Sequence, residues 1–335
     1  MEGRKLQLAG KSTFLVSLPK RWVTNAGLKA GDTLFVDTES DGSVSIRLRS
    51  GIRPSVRRKV FRERGEDTRE HMLRKLIGAY ISGFGLIEVR FTPDRAAFVR
   101  KVTREFCRLV IGPEVIEEST NGIVIQDLSD PSELSSEKCL RRMHLTVRAM
   151  LQDAVASLRS KNESLAHDVA LRAQDVSRLY WMVAKQHHLS HVGPVDGESM
   201  GMTHGHRLIA KLFERIGEHA QRIAGTSGVI SSAKDLDPKL FEQLDAARQS
   251  AVNILDQAFN ALVTKNIEGA NAAIDGRVNH QKMIDDLSRT IASRRGAPTL
   301  ALGTVVDSLG RAAVYSGEIA EEAIDIAILT NPEAT

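Results

Sequence analysis

The feature that most constrains this chain is a repeat within its second half. Leu151-Gln152-Asp153-Ala154, running through Leu158 to Lys161-Asn162, matches Leu255-Asp256-Gln257-Ala258, running through Leu262 to Lys265-Asn266, at an offset of 104 residues. Further on, Arg215 and Ile223-Ala224 match Arg311 and Ile319-Ala320 at an offset of 96. From about residue 134 onward the chain reads as almost wholly helical, with breaks near Lys161-Asn162, Gly193-Pro194, Asp235–Pro238, Lys265-Asn266 and Gly296–Pro298. These breaks leave six long helices. The repeat therefore predicts two tandem three-helix bundles whose apolar stripes bury one another. Its period exceeds that of short solenoid repeats, so two bundles are expected rather than an array.

The first half reads differently. Leu6 and Leu8 alternate, as do Phe14, Val16 and Leu18, then Leu34 and Val36, then Val44, Ile46 and Leu48. Period-two apolar spacing predicts half-buried strands, and Asp41-Gly42 is a hairpin signal between the last two. Pro19 and Gly27 bracket a helix of under two turns. Some fifty residues bury little surface by themselves, so this segment is expected to oligomerise. Over roughly 66–130, Met72, Leu73, Leu76, Ile77, Tyr80 and Ile81 follow helical spacing, and Leu86–Phe91 reads as a strand. Thr92-Pro93 then starts a helix with Phe98, Val102 and Leu109 inward, and Asn121-Gly122 turns a hairpin between Val115-Ile116 and Ile123–Ile125. This is a small α+β module without a chemical motif.

Charge is divided unevenly. Residues 1–64 carry 14 Lys and Arg against six acids, an excess of eight, while the remainder carries a net −4. A basic N-terminal fifth on a mildly acidic body predicts a polyanion-binding module attached to something else, with an Arg-rich solvated linker as the alternative. Aromatics at 4% argue against a β-sandwich or an aromatic nucleic-acid platform as the main body. No run approaches the ~20 apolar residues needed to span a bilayer. The start, Met1-Glu2-Gly3-Arg4-Lys5, predicts no secretory signal. Cys107 and Cys139 form no framework, so a reducing, cytoplasmic setting is expected.

Two family resemblances follow. Ser17-Leu18-Pro19-Lys20-Arg21-Trp22, then Gly27-Leu28 and Gly31-Asp32, resembles the AbrB/MazE/SpoVT swapped-hairpin DNA-binding domain. Leu212–Ala224, with a weaker second copy from Leu309-Gly310-Arg311 through Ile319-Ala320-Glu321, resembles PhoU, the phosphate-homeostasis regulator made of two three-helix bundles. The combination is typical of archaeal PhoU-like regulators. The expected architecture is multidomain and mainly α. A small N-terminal swapped-hairpin β domain spans 1–50, and a basic linker with a short α+β segment spans 51–132. PhoU-like three-helix bundles then span 133–232 and 233–335.

The first resemblance implies an intertwined dimer presenting Arg4, Lys5, Lys11, Lys20 and Arg21 to DNA, with Arg47 to Arg64 adding backbone contacts. Phosphate contacts of this kind position a protein without choosing sequence. The second implies acidic pairs that gather a divalent metal or iron, since four-residue spacing puts two carboxylates on one helix face. Glu214 and Glu218 keep one pair. The other family positions fall on Ala173 and Ser177, then Gln281 and Asp285, then Gly310 and Val314. It also implies contact with a phosphate ABC-transporter ATPase or a signalling histidine kinase.

Six of the ten histidines, His187, His188, His191, His204, His206 and His219, crowd into one stretch, where either a ligand set or inert polar histidines would fit. No catalytic residue is expected. Gly10-Lys11-Ser12 mimics the end of a phosphate-binding loop, but Lys5 stands where the upstream glycine belongs. Neither a His-Glu-x-x-His nor a Gly-x-Ser-x-Gly motif occurs. The reading is a DNA-binding regulator of phosphate uptake. The alternatives are a PhoU-type adaptor that does not bind DNA and, third, a metal-dependent helical enzyme.

Overall fold

The computed structural model describes residues 3–10, 12–38, 44–48, 56–129, 134–190, 197–231, 237–293 and 296–331. The chain divides into two units, Met1–Ser55 and Val56–Thr335.

The first unit, the head, is built from two hairpins and a short helix. Strands β1 (Gln7–Ala9) and β2 (Thr13–Leu15) pair antiparallel with Leu8 opposite Phe14. Helix α1 (Lys20–Asn25) begins at Pro19, whose carbonyl accepts from the Val23 amide at 3.1 Å. Proline is thus the cap rather than the first helical residue. Strands β3 (Leu34–Thr38) and β4 (Val44–Leu48) pair with Val36 opposite Ile46. The Asp41-Gly42 turn predicted between them lies outside the described residues.

The second unit opens with an α+β module. Its elements are β5 (Arg58–Arg62), α2 (Arg69–Ile81), β6 (Leu86–Arg90), α3 (Ala96–Leu109), β7 (Pro113–Glu118) and β8 (Gly122–Asp127). The sheet order is β5-β6-β8-β7, with β5 parallel to β6 and the other pairs antiparallel. Strand β5 falls inside the stretch that the sequence presents as a basic linker. It is an edge strand, where cationic side chains are tolerated because they blunt the open hydrogen-bonding edge. Its Phe61 still packs on the module core. Helix α3 packs on the core as expected at Val102, with Phe98 and Leu109 half-buried against it at the margins of the face. Val99, Val102, Thr103 and Phe106 are buried and form its centre, the i, i+3, i+4, i+7 stripe that starts at Val99. The outer side of Phe98 is covered by the Arg95 guanidinium, 4.1 Å from its ring.

Seven helices follow. They are α4 (Ser136–Ser160), α5 (Glu163–Ser190), α6 (Gly197–Gly225), the short α7 (Ser227–Ser231), α8 (Pro238–Thr264), α9 (Ile267–Ala292) and α10 (Ala297–Thr330). The six long ones agree with the breaks read from the sequence. The repeat is visible in the backbone itself. Lys161 and Lys265 end α4 and α8 in the left-handed region, at φ 55° and 54°. The next residue caps the following helix in each case, as Asn162 accepts from Leu165 N at 3.1 Å and Asn266 from Gly269 N at 2.9 Å. One continuous apolar core runs through both repeats from Cys139 to Ile326.

The module is anchored to α5. Trp181 packs against both apolar cores. Lys185 forms a buried ion pair with Asp127, donates to Ser129 Oγ at 2.9 Å and sits 4.8 Å from the centre of the Tyr80 ring. Burial and the nearby Asp127 carboxylate push the Tyr80 hydroxyl pKa upward.

Two expectations follow for stability. Removing one member of a buried pair leaves the other charge uncompensated, so Lys185→Met should cost about 3 kcal/mol in urea unfolding, and more than the ~1 kcal/mol lost when the cap is removed in Asn266→Ala.

Candidate functional site

The head carries the predicted cationic residues on a surface that lacks a core of its own. Among its described residues with an assigned burial, none is buried. Leu8, Phe14, Val16, Phe35, Val36 and Val44 are all exposed, Phe14 at 64% and Leu8 at 60%. Alternation has put apolar side chains on common strand faces, as the Leu8–Phe14 and Val36–Ile46 pairs indicate, but nothing described within the unit covers them. Apolar side chains this exposed on both hairpins are what an interaction surface would present. Lys5, Lys20 and Arg21 are exposed, and among the described residues no acid pairs with them. Arg4 is exposed too, and Lys11 lies outside the described residues. Lys20 and Arg21 are held at the start of α1, where Thr24 Oγ1 donates back to the Lys20 carbonyl at 2.9 Å.

The acidic pair lies on α6. Glu214 is buried and pairs with Lys211, one turn earlier on the same helix, whose ammonium also lies 4.7 Å from the centre of the Tyr180 ring. Glu218 pairs with Arg215 at 3.0 Å. In the second repeat, the positions that match the acidic motifs do come together, since Gln281, Asp285, Gly310 and Val314 line one open groove between α9 and α10. Gln281 Nε2 donates to Asp285 Oδ1 at 2.8 Å, so the one carboxylate of this set is already engaged.

Two acids that the motifs did not single out lie further along α10. Burial, with Glu321 close to both and Asp325 close to Glu322, raises the pKa of Glu318 and Glu322. Hard divalent ions take six or more oxygen ligands. Among the described residues no group of three or more His, Cys, Asp or Glu side chains could hold a metal ion. Glu214 and Glu218 by themselves do not fit such an ion.

The histidines disperse. His187 is buried, with its ring centre 5.6 Å from that of the exposed His204. His206 and His219 are buried, His206 beside Ser136 Oγ at 2.9 Å and His219 with its ring centre 5.8 Å from that of Tyr315. His188 is exposed, and His191 lies outside the described residues. A further histidine sits on the seam between the repeats, where the sequence pattern carries no signal. His144 of α4 stacks on Phe259 of α8 with ring centres 4.2 Å apart, and its Nε2 lies 2.8 Å from Asp256 Oδ1. Arg148 reaches the other oxygen of Asp256 at 3.0 Å. Burial pushes the Cys107 and Cys139 thiols up to about 11, so neither is a ready nucleophile.

A PhoU domain family model matches residues 140–226, most of α4 through the end of α6. The helical body has a PhoU-like fold. PhoU from Pseudomonas aeruginosa matches it with a TM-score of 0.54 at 15% identity, over 59% of this chain and 96% of that one. The phosphate transport system regulatory protein PhoU from Streptococcus pneumoniae gives 0.52 at 16% identity, over 60% and 95%. No match was found among curated proteins. No helix among the described residues is long and apolar enough to cross a membrane.

In this PhoU-like body the buried imidazoles make stability depend on pH. Desolvation lowers the pKa of His144, His206, His219 and His280 below 6.5, although Asp256 partly opposes the shift at His144. These groups stay neutral in the fold while the unfolded chain takes up protons near pH 6.5. The stability they contribute is complete above that value and is lost progressively as pH falls below it. The thermal midpoint should drop by about 5 °C or more between pH 7 and 5, as read by scanning calorimetry.

Proposed function

We propose that this protein is a DNA-binding regulator of phosphate uptake and phosphate homeostasis, acting in the cytoplasm as a dimer formed through its head. The observation that carries this reading is the pairing of an uncovered apolar surface with exposed cations in the head. A second copy would cover the apolar set, as the AbrB-type resemblance implies, and would double the cationic residues offered to phosphates. The PhoU-like body supports the regulatory half of the reading, because one solved protein with this fold is a phosphate transport system regulatory protein. In this reading the body meets a phosphate ABC-transporter ATPase or a signalling kinase. Whichever body arrangement the partner prefers then shifts the DNA-competent population.

The reading is tested by recovering genomic fragments that copurify with the protein and measuring their gel retardation. Retardation at physiological salt is expected, with affinity falling steeply as salt rises. Lys20→Ala combined with Arg21→Ala should weaken binding across all fragments and reduce the log–log salt slope by about 0.9 for each phosphate that is no longer neutralised. If the native protein leaves DNA unretarded, the transcriptional reading fails. What then stands is the adaptor, a PhoU-type body that contacts the transporter or kinase while its head serves assembly alone.

Assembly has its own measurement. Phe14→Asp puts a charge into the apolar set and leaves the sequence of the body unchanged. Light scattering should then show the full chain moving from dimer toward monomer. A mass unchanged from that of the wild type would mean that the head is not the dimer contact.

A further inference from the structure

At one end of the helical body, where α4, α6, α8 and α10 converge, lies a cavity of about 160 Å³. Its wall comes from both repeats. Leu140, Phe259 and Ile326 are buried, and Met202 and Leu262 are half-buried, so the interior is apolar. A β-carbon at Gly205 would sit 2.8 Å from Ile326 Cδ1, so the absence of a side chain there is what lets α6 and α10 close against each other. The size matches that of apolar protein cavities, about 150 Å³, that stay dry and admit a benzene ring.

The polar groups of this cavity are Glu137, Arg141, His206 and Lys265. Arg141 and Lys265 are exposed at its edge, and neither is paired with an acid among the described residues. Lys265 is fixed there by the left-handed turn that ends α8. Glu137 is the one acid of the lining, so the edge carries a net single positive charge. His206 is nineteen-twentieths buried, and with its Nδ1 engaged by Ser136, its Nε2 has no partner among the described residues. Burial keeps this imidazole neutral at pH 7, so it can give or accept one hydrogen bond at no cost in charge.

We propose that this cavity is a binding site for a small monocarboxylate with a compact apolar body, the size of a single six-membered ring. The body fills the apolar interior and the carboxylate meets Arg141 and Lys265 at the edge. Inorganic phosphate does not suit the site, because a multiply charged anion would lie against a largely apolar floor where the His206 Nε2 is the single side-chain group able to donate, and Glu137 would repel it. The ligand would touch helices of both repeats at once. It would therefore favour the arrangement of the two bundles in which the cavity is formed.

The test uses the full chain with labelled methyl groups and benzoate as the probe. Benzoate should shift the Leu140, Met202, Leu262 and Ile326 methyl signals saturably in the millimolar range. Met202→Trp, which fills the cavity, should abolish the shifts. Arg141→Gln changes an exposed side chain and should leave the fold intact while weakening benzoate by about threefold to tenfold. Benzamide, the neutral isostere, should bind the native protein more weakly by a similar factor. The proposal is overturned if benzoate gives no saturable shift, if Met202→Trp or Arg141→Gln binds it as well as the native chain does, or if benzamide or inorganic phosphate matches benzoate.

Discussion

The helical body depends on the sharing of one apolar core by its two repeats. A three-helix unit buries its inner stripe and leaves a second stripe uncovered. In this chain the uncovered stripes face each other, where α4 meets α8 and α6 meets α10, and the buried residues form a single cluster across the seam. The two repeats fill that core differently. Both use large side chains, such as Met143, Leu151 and Phe213 in the first and Leu255, Phe259 and Leu309 in the second, but the second adds more alanines, among them Ala251, Ala258, Ala270, Ala273, Ala312 and Ala320. Small side chains let helix axes approach, and large ones fill the space where they do not. At roughly 1.5–3 kcal/mol for each large side chain fully buried, the seam cannot open without losing much of the stability of both halves.

The seam also shows what a sequence can and cannot reveal. Helix ends are legible because each carries its own local chemistry. The Lys-Asn pair recurs 104 residues apart, and both copies turn the backbone left-handed and then cap the next helix. The partners that lock the elements together are not legible. His144 meets Asp256 across 112 residues, and Lys185 meets Asp127 across 58. Neither pair leaves a periodic trace, because each side chain looks like an ordinary solvated residue within its own helix or strand. Strand β5 escapes the sequence pattern for a related reason. Its Arg-Arg-Lys context reads as linker, and only pairing with β6 makes an edge strand of it. The α3 face is legible at Val102, while Phe98 lies at its margin, packed on the core and covered outside by a guanidinium that the sequence pattern does not reveal.

The candidate sites divide along the same line. The cationic residues of the head can be named from the sequence, but the exposure of the apolar residues around them becomes evident only from the burial of each strand. On α6 the sequence does hold a clue to the fate of the acidic pair. Lys211 and Arg215 each stand three residues before an acid, the spacing at which a helix brings opposite charges together. A carboxylate that already faces its own cation is a poorer metal ligand, since binding must first break that pair. In the second repeat the positions that the resemblance singles out do meet in the α9–α10 groove, but they carry an amide, one carboxylate, a glycine and a valine.

Head and body also differ in how their stability depends on concentration. The body has its own core and can hold its shape in a single chain. The head has an apolar set and no described residue to bury it, so in the proposed dimer its folding and its association would form one equilibrium, governed by how often two heads meet. Any contact that holds two bodies together makes that meeting effectively intramolecular, at the millimolar effective concentrations typical of tethered modules. A partner bound to the PhoU-like body need not touch the head to change what the head does. In the proposed dimer, altering how two bodies associate would alter the fraction of heads that are paired, and a cationic surface shared between two copies would exist only in that fraction.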